Sequence, residues 1–301
     1  MRIIIGTAIN AHQEFHNYNI IRKKNNIRYA AYGLVTWKDE MARCNESEDR
    51  AVVELLGDSN STPLRVRYRK EMNCQIVHDS IHRRQGWTLT YELRLNSTVV
   101  GYGSVAIAGP WKDKPTIFEF YVQPNARNRA FDLFEAFLDA SGARFMEIQS
   151  NNRLLAIMLH TYARGVCSEK IVFRDELTTA LPSKGAVLRC LTAEEETRRC
   201  IEQRQGGTQW QLERDNECVA KGGLTFHYNR PYADIYMEVP ESFRQRGFGS
   251  YLVQEIKRRA YELGSIPCAR CDPTNIASRK TLQKAGFVPF AHILNGSAGE
   301  T

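Results

Sequence analysis

Residues 239–264, VPESFRQRGFGSYLVQEIKRRAYELG, read as the end of a strand, a glycine-containing loop and a helix. Gly247 and Gly249 carry no side chain, so the loop can adopt left-handed backbone angles and an anion can approach its main chain closely. The first backbone N–H groups of a helix have no partner within the helix and lie at the positive end of its dipole. This stretch is therefore predicted to bind a phosphate group.

Apolar residues after the loop follow a helical spacing, and Gly264 suits the position just past the end of such a helix. The apolar positions are Phe248, Leu252, Ile256, Ala260 and Leu263. Arg244 and Arg246 add positive charge beside the loop. A surface turn with two glycines before an ordinary amphipathic helix remains the other interpretation, because a lone glycine motif is weakly specific.

The loop resembles the phosphate-binding motif of the GCN5-related N-acetyltransferases, in which Gln or Arg is followed after two residues by Gly, any residue, and Gly or Ala. Here the motif reads Arg244-x-x-Gly247-x-Gly249. Two further matches follow at the family's spacing: Asn275-x-x-Ser278 begins the next predicted helix, and residues 284–287, KAGF, end it. The resemblance implies an α/β fold with a mixed, mostly antiparallel twisted sheet flanked by helices.

The resemblance also implies an activity, namely direct transfer of an acetyl group from acetyl-CoA to a primary amine of a small molecule or a peptide. Acetyl-CoA would be the co-substrate, and no metal would be required. The strand end would offer backbone groups to the pantetheine arm, and the loop would hold the pyrophosphate. The implied cofactor-binding residues are Met237, Glu238, Val239, Arg244, Gln245, Arg246, Gly247, Phe248, Gly249, Ser250, Asn275 and Ser278. A plain helix cap remains the other interpretation of Asn275.

Such a transfer needs a base for the amine and an acid for the leaving thiolate. Alternation in the strand before the loop places Asp234, Tyr236 and Glu238 on one face. Glu238 lies nearest the loop and is the favoured base. His227 and Tyr228 from the preceding turn are the next candidates, and a base acting through water is a further one. Many family members carry a tyrosine four residues before the Gly of the Gly-Phe pair, but this position is Leu282. The sequence therefore names no acid.

The predicted order of elements occurs twice, which predicts two tandem domains of this fold. In the first copy, Ala130 and Asp132 stand where Gly247 and Gly249 stand in the second. A carboxylate there would repel a diphosphate, and both side chains would fill space that the anion needs. The predicted divisions are an N-terminal extension of uncertain structure (1–60), a degenerate copy (61–180) and a cofactor-binding domain (184–296).

Local patterns give further predictions. Residues 47–56 and 73–84 are predicted helices, residues 64–70 a strand, and residues 193–204 a helix capped by Thr192. The last strand is predicted over 288–294 with a frayed tail behind it. The second copy would then lack its final strand, so the first copy or the N-terminal segment must cover that sheet edge.

A net charge of +7 fits either a nucleic-acid surface or a site for a small polyanion. The basic residues are spread along the whole chain, and no aromatic-rich RNA-binding motif accompanies them, so nucleic acid is the weaker interpretation. No stretch is apolar enough for a membrane span or a signal peptide, which predicts a cytoplasmic protein. The second functional class considered is a non-catalytic acyl-CoA sensor or scaffold. The oligomeric state is not indicated.

The eight cysteines show no disulfide pattern, and only the pair Cys268 and Cys271 has metal-site spacing. Residues three apart on a strand face opposite sides, so one ion could not easily take both thiols. No metal site is predicted.

Overall fold

The structure, a computed structural model, describes residues 50–56, 62–73, 76, 79–191 and 209–298, which lie in one compact unit that begins at Asp49. The strands are β1 (Ala51–Leu56), β2 (Thr88–Leu95), β3 (Thr98–Ala106), β4 (Thr116–Val122), β5 (Phe145–Gln149), β6 (Ala163–Asp175), β7 (Val187–Cys190), β8 (Gln209–Arg214), β9 (Glu217–Thr225), β10 (Tyr232–Glu238), β11 (Ile266–Cys271) and β12 (Phe287–Ala298). The α-helices are α1 (Thr62–Met72), α2 (Asp79–His82), α3 (Ala130–Ser141), α4 (Arg153–Tyr162), α5 (Phe248–Glu262) and α6 (Ile276–Lys284).

These strands form one twelve-stranded sheet in the order β1-β2-β3-β4-β5-β12-β6-β11-β10-β9-β8-β7. Within the described ranges, β4–β5 and β10–β11 are the parallel pairs, and the remaining pairs are antiparallel. The predicted class, a mixed and mostly antiparallel sheet flanked by helices, is confirmed.

The order of elements repeats within the sheet. Residues 88–175, the first half, run from β2 to β6 with α3 and α4 between the strands, and residues 209–298, the second half, run from β8 to β12 with α5 and α6. One side-chain bond is repeated as well: Arg127 Nε donates to the carbonyl oxygen of Val122 at 3.0 Å, and Arg244 Nε donates to that of Val239 at 3.2 Å.

The two halves exchange strands at the centre of the sheet. Strand β12 of the second half pairs with β5 and β6 of the first half, and β6 also pairs with β11. The sheet edge of the second half that was predicted to need a cover is thus paired with strands of the first half. The first half was one of the two predicted candidates, beside the N-terminal segment. The predicted tail is wrong, because β12 is paired on both sides and continues to Ala298.

The predicted strand over residues 64–70 is also wrong, since these residues lie in helix α1. Arg65, Arg67 and Arg69 alternate as the residues of one strand face do. The helical pattern is stronger than this alternation: Leu64, Tyr68 and Met72 are spaced four residues apart. This spacing places all three on one helix face, where they pack against Tyr102 and Tyr121.

The predicted helix over residues 47–56 is wrong where the structure describes it, because Ala51–Leu56 forms β1 and pairs antiparallel with β2. Of the predicted helix over 73–84, the described residues show only the short α2. The predicted helix over 193–204 and most of the predicted extension (1–60) lie outside the described residues.

A buried ion cluster fastens α1 and α2 to the first half. The carboxylate of Glu119 lies 3.4 Å from Arg65 Nε and 3.1 Å from His82 Nε2, and its side chain is 1% exposed. Burial by itself raises the pKa of this carboxyl. The interactions of the carboxylate with His82 and Arg65 outweigh burial and lower the pKa from 4.5 to about 2.

Glu119→Gln is expected to destabilise the protein by about 2–4 kcal/mol at neutral pH, because it removes the buried anion between Arg65 and His82 and leaves Arg65 paired with Asp79 alone. The folded-state pKa is depressed, so the ionised carboxylate contributes its stability above pH 4.5 and loses it as the pH falls to about 2. The variant should therefore show a flatter loss of stability across this interval in urea titrations. Glu213→Gln, which breaks the exposed pair with Arg189, should change stability by less than about 1 kcal/mol. If Glu119→Gln loses stability between pH 4.5 and 2 as steeply as the parent protein does, the low pKa does not belong to Glu119.

Candidate functional site

A cleft of about 910 Å³ opens at the carboxyl end of β10. Strands β10 and β11 are paired only as far as Ile235 and Ala269, whereas β10 continues to Glu238, so the two strands separate above this level. The separated strand end, the following loop and the first turns of α5 and α6 form the walls. The lining residues are Met237, Glu238, Val239, Phe243, Arg244, Gln245, Gly247, Phe248, Gly249, Ser250, Asn275, Ile276, Ala277, Ser278, Lys280, Thr281 and Lys284.

The glycine loop presents the start of α5 to this cleft. Gly247 has a φ of 88°, in the left-handed region, and no side chain caps the helix. The Tyr251 N–H donates to the carbonyl of Gly247 at 3.1 Å, so the three N–H groups before it, those of residues 248–250, precede the first intrahelical bond. A Cβ on Gly249 would lie 3.1 Å from Val239 Cγ2 and 3.4 Å from Thr281 Cγ2. The missing side chain therefore leaves room at the helix start.

All the residues predicted to bind the cofactor line this cleft except Arg246. The carbonyl of Arg246 accepts a bond from Lys184 Nζ at 2.5 Å, and its guanidinium lies 5.6 Å from the centre of the Phe243 ring. Arg244 does line the cleft, and its bond to the Val239 carbonyl holds the side chain across the strand end.

Sequence analysis missed two lysines of the cleft, Lys280 and Lys284 on α6. Their spacing of four places them on one side of the helix that Asn275 begins, and this was the signal available. Together with Arg244 they give the cleft three cations, an arrangement suited to a polyanion.

Asn275 caps α6: its Oδ1 accepts the N–H of Ser278 at 2.9 Å. The oxygen of the Asn275 side chain therefore acts as a helix cap, which is one of the two interpretations that the sequence allowed. Because the residue also lines the cleft, its Nδ2 can still donate to a ligand.

The candidate bases lie in different places. Glu238 stands at the cleft with a side chain that is 61% exposed, and its carboxylate is 2.8 Å from Lys221 Nζ. His227 lines a separate cavity together with Tyr228. The structure therefore places Glu238, and not His227, beside the predicted phosphate loop.

Asp234 is the titratable residue of this strand that sequence analysis underrated. It is 7% exposed, and burial raises its pKa to about 6 even though Arg270 Nε lies 3.3 Å from its Oδ2. Asp234 precedes Glu238 by four residues on the same strand face, about 13 Å away along β10, and it does not line the cleft.

The position without a tyrosine, Leu282, is 3% exposed and packs in the core beneath α5. It offers no proton. Of the two tyrosines on α5, Tyr261 donates its hydroxyl hydrogen to Asp175 at 2.9 Å, and Tyr251 packs against the same core as Leu282. No acid emerges among the described residues of the cleft.

The first half holds a different arrangement at the corresponding place. Ala130 and Asp132 occupy the glycine positions, and the Asp132 carboxylate accepts a bond from Arg129 Nε at 2.5 Å. Helix α1 lies against the counterparts of the cleft residues. Its Glu71 carboxylate bonds Arg127, the counterpart of Arg244, and its Tyr68 hydroxyl accepts a bond at 3.1 Å from Asn152, the counterpart of Asn275.

Two further properties concern the described residues alone. None of their helices combines the length and apolarity that crossing a membrane requires. No group of three or more His, Cys, Asp or Glu side chains is placed so that it could hold a metal ion. Cys268 and Cys271 are free thiols in β11.

The chain was compared with known protein families, and the match begins directly after the first half. Residues 176–287 match the model of the acetyltransferase (GNAT) family. No protein with a curated function matches the chain.

Solved structures match most of the chain at low identity. A GNAT-family acetyltransferase from Colwellia psychrerythraea is 14% identical with a TM-score of 0.63, and the match covers 82% of this chain and 100% of that one. A GCN5-related N-acetyltransferase from Sphaerobacter thermophilus is 12% identical with a TM-score of 0.55, covering 84% and 97%. A tandem GNAT protein from the clavulanic acid biosynthesis pathway is 13% identical with a TM-score of 0.55, covering 84% and 100%. Residues 176–287 are thus similar to the GNAT acetyltransferase family, and the chain shares the fold of these structures.

Proposed function

We propose that the protein is an N-acetyltransferase that binds acetyl-CoA in the cleft of the second half and acts on a primary amine. The observation that carries this proposal is the uncapped start of α5 behind Gly247 and Gly249, with Arg244, Lys280 and Lys284 around it. Free N–H groups at a helix start together with nearby cations favour a pyrophosphate. An apolar or cationic ligand would gain nothing from them.

Each part of the cleft has a role in this proposal. The N–H groups of residues 248–250 hold the pyrophosphate, and the three cations balance the remaining phosphate charge. The backbone of residues 237–239 has no strand partner on the side where β11 separates from β10, and this side binds the pantetheine arm by hydrogen bonds. Bound acetyl-CoA supplies the thioester from which the acetyl group is transferred.

Glu238 is the proposed base, because it is the carboxylate that lines the cleft at the strand end. Its exposure allows it to take the amine proton directly or through water, and the ion pair with Lys221 Nζ at 2.8 Å orients the carboxylate at the strand end. Since Leu282 is buried and apolar, the leaving thiolate takes its proton from water.

We further propose that the first half is a second copy of the same domain that no longer binds the cofactor. The repeated order of elements and the repeated arginine-to-carbonyl bond support the duplication. Asp132 and helix α1 support the loss of binding. The Asp132 carboxylate repels a phosphate group, and α1, whose Glu71 bonds Arg127, fills the space that the cofactor would need. The proposed division is one cofactor site per chain.

The direct test follows thiol release from acetyl-CoA in the presence of a panel of primary amines, small molecules and peptides alike. Amine-dependent release is expected for at least one class of acceptor. Binding of acetyl-CoA in calorimetry without turnover on any amine would favour a non-catalytic acyl-CoA sensor. Absence of binding at micromolar concentration would contradict the proposed function.

Arg244→Ala is expected to weaken acetyl-CoA binding about tenfold, because one charge-assisted contact in the cleft is lost. Two matched variants make the test specific. Arg127→Ala removes the counterpart in the first half, and Arg246→Ala removes an arginine that does not line the cleft. Both should bind acetyl-CoA within about twofold of the parent protein in calorimetry. Equal losses in all three variants would show that general charge, and not the cleft, attracts the cofactor.

A further inference from the structure

A second cavity, of about 640 Å³, lies over the strands where the two halves meet, and we call it the junction cavity. Among the described residues, none lines both this cavity and the cleft. Its walls are residues from α2, from the loop between β3 and β4 and from the turn before β10. The residues used below are Arg84, Trp111, Lys114, Glu147, Glu169, Tyr228, Arg270 and Asn295.

Polar side chains from four adjacent strands line this cavity. Glu147 of β5 is paired directly with Asn295 of β12, and Asn295 Nδ2 donates to Glu169 of β6 at 3.0 Å. Arg270 follows on β11. Because neighbouring strands are about 4.8 Å apart, the two glutamates lie about 10 Å apart at their backbones, with Asn295 between them. The strand exchange between the halves brings these residues side by side.

Tyr228 lines the same cavity with an unpaired hydroxyl. The residue is 2% exposed, and its hydroxyl oxygen has no hydrogen-bond partner in the part of the chain that the structure describes. Burial raises the pKa of this phenol well above its ordinary value, so the hydroxyl stays protonated and uncharged. A buried polar group without a partner is destabilising, and a bound polar ligand would supply the missing hydrogen bond.

The charges around the cavity favour a cation at its floor. The Arg270 charge is balanced by Asp234, whose Oδ2 lies 3.3 Å from Arg270 Nε. The Arg270 guanidinium also lies over the Tyr228 ring, 5.0 Å from the ring centre. The remaining cations of the lining, Arg84 and Lys114, are exposed side chains over the rings of Trp87 and Phe145, where water screens them. Lys170 lies outside the lining, and its Nζ is 3.9 Å from Glu169 Oε1.

The glutamates are less exposed than Arg84 and Lys114, so their charge acts more strongly inside the cavity. One of them, Glu147, accepts a bond from Trp111 Nε1 at 3.2 Å, which fixes an aromatic ring beside a carboxylate. A cation is attracted by both.

We propose that the junction cavity binds an organic ammonium compound. An ammonium group has three donors, and Glu147, Glu169 and the Tyr228 hydroxyl oxygen offer acceptors for them. The rings of Trp111 and Tyr228 enclose the apolar part of the ligand and attract its charge. This site is independent of the proposed acetyl-CoA cleft, so it stands even where no acetyl transfer is found.

The test uses three probes of one shape and different charge: benzylamine, benzyl alcohol and benzoate. Calorimetry or ligand-observed NMR on the full chain is expected to show benzylamine binding at least tenfold more tightly than the other two. Benzoate binding more tightly would overturn the proposal, because it would make the rim cations dominant. Equal binding of benzylamine and benzyl alcohol, or no binding of any probe, would overturn it as well.

Variants locate the site. Glu169→Gln is expected to weaken benzylamine binding at least tenfold, and Tyr228→Phe about threefold, while thermal melting shows that each variant is folded. Glu213→Gln, which lies on β8 away from the cavity, should bind as the parent does. Gly249→Asp, which alters the cleft alone, should also keep benzylamine binding. A loss of benzylamine binding in Gly249→Asp would show that benzylamine binds in the cleft, which would overturn the proposal.

Discussion

Gly249→Asp is expected to weaken acetyl-CoA binding at least 100-fold while leaving the protein folded. Two like charges about 4 Å apart repel by about 4 kcal/mol at an effective dielectric constant of 20, and screening by water and salt still leaves the roughly 2.7 kcal/mol that a 100-fold loss requires. The chain contains a precedent for the folded state, because Asp132 occupies the same position at the start of α3. An acidic residue in a first helical turn also interacts favourably with the helix dipole.

Two matched variants separate charge from volume at this position. A Cβ on Gly249 would lie 3.1 Å from Val239 Cγ2, which is tighter than an ordinary contact. A shift of a few tenths of an ångström by this methyl group relieves it, so Gly249→Ala should weaken acetyl-CoA binding only a few-fold. Gly249→Asn has nearly the shape of the aspartate without its charge and should fall between the two. Calorimetry with acetyl-CoA and with CoA measures all three, and circular dichroism verifies folding. If Gly249→Asp binds as well as Gly249→Asn, charge at the helix start does not decide binding, and the loop is not the pyrophosphate site.

The sequence was sufficient to predict this loop because its requirements are local. A left-handed Gly247, a missing side chain at Gly249 and a helical apolar spacing are all properties of consecutive residues. The same holds for most strands between β2 and β12, whose alternation and turns are visible in short windows. Local rules failed for α1, where two periodicities compete in one segment, and packing of Tyr68 against Tyr102 and Tyr121 decides for the helix.

The remaining features depend on partners distant in the chain. The raised pKa of Asp234 requires burial, which strand alternation alone does not establish. The three contacts of α1 with Arg127, Tyr121 and Asn152 join residues 50 or more positions apart. A pattern within one strand does not name its neighbours in the sheet, so the exchange of β6 and β12 was expected only as a cover for an unpaired edge.

The exchange of β6 and β12 leads to the second large prediction: the second half is not expected to fold without the first. A fragment of residues 183–301 lacks both partners of β12 and one of the two partners of β11. It also loses Asp175, whose Oδ1 lies 2.5 Å from the buried Lys257 Nζ on α5, and Leu177, whose carbonyl accepts a bond from the same nitrogen at 2.9 Å. An unpaired buried charge costs about 3–5 kcal/mol, and three exposed strand edges add to this cost, against the roughly 5–15 kcal/mol that stabilises an ordinary domain.

Pro182 is exposed in the segment between β6 and β7, so a protease site inserted after it allows the test in two forms. Residues 183–301 expressed alone should be unfolded or aggregated in circular dichroism and size-exclusion chromatography. The full chain cleaved after folding should elute as one species and keep its affinity for acetyl-CoA, because the paired strands, and not the peptide bond, hold the halves together. Co-expression of residues 1–182 with 183–301 should restore the same species. A fragment of residues 183–301 that folds and binds acetyl-CoA alone would show that the halves are separable domains, and the exchanged strands would then be an addition to a complete fold.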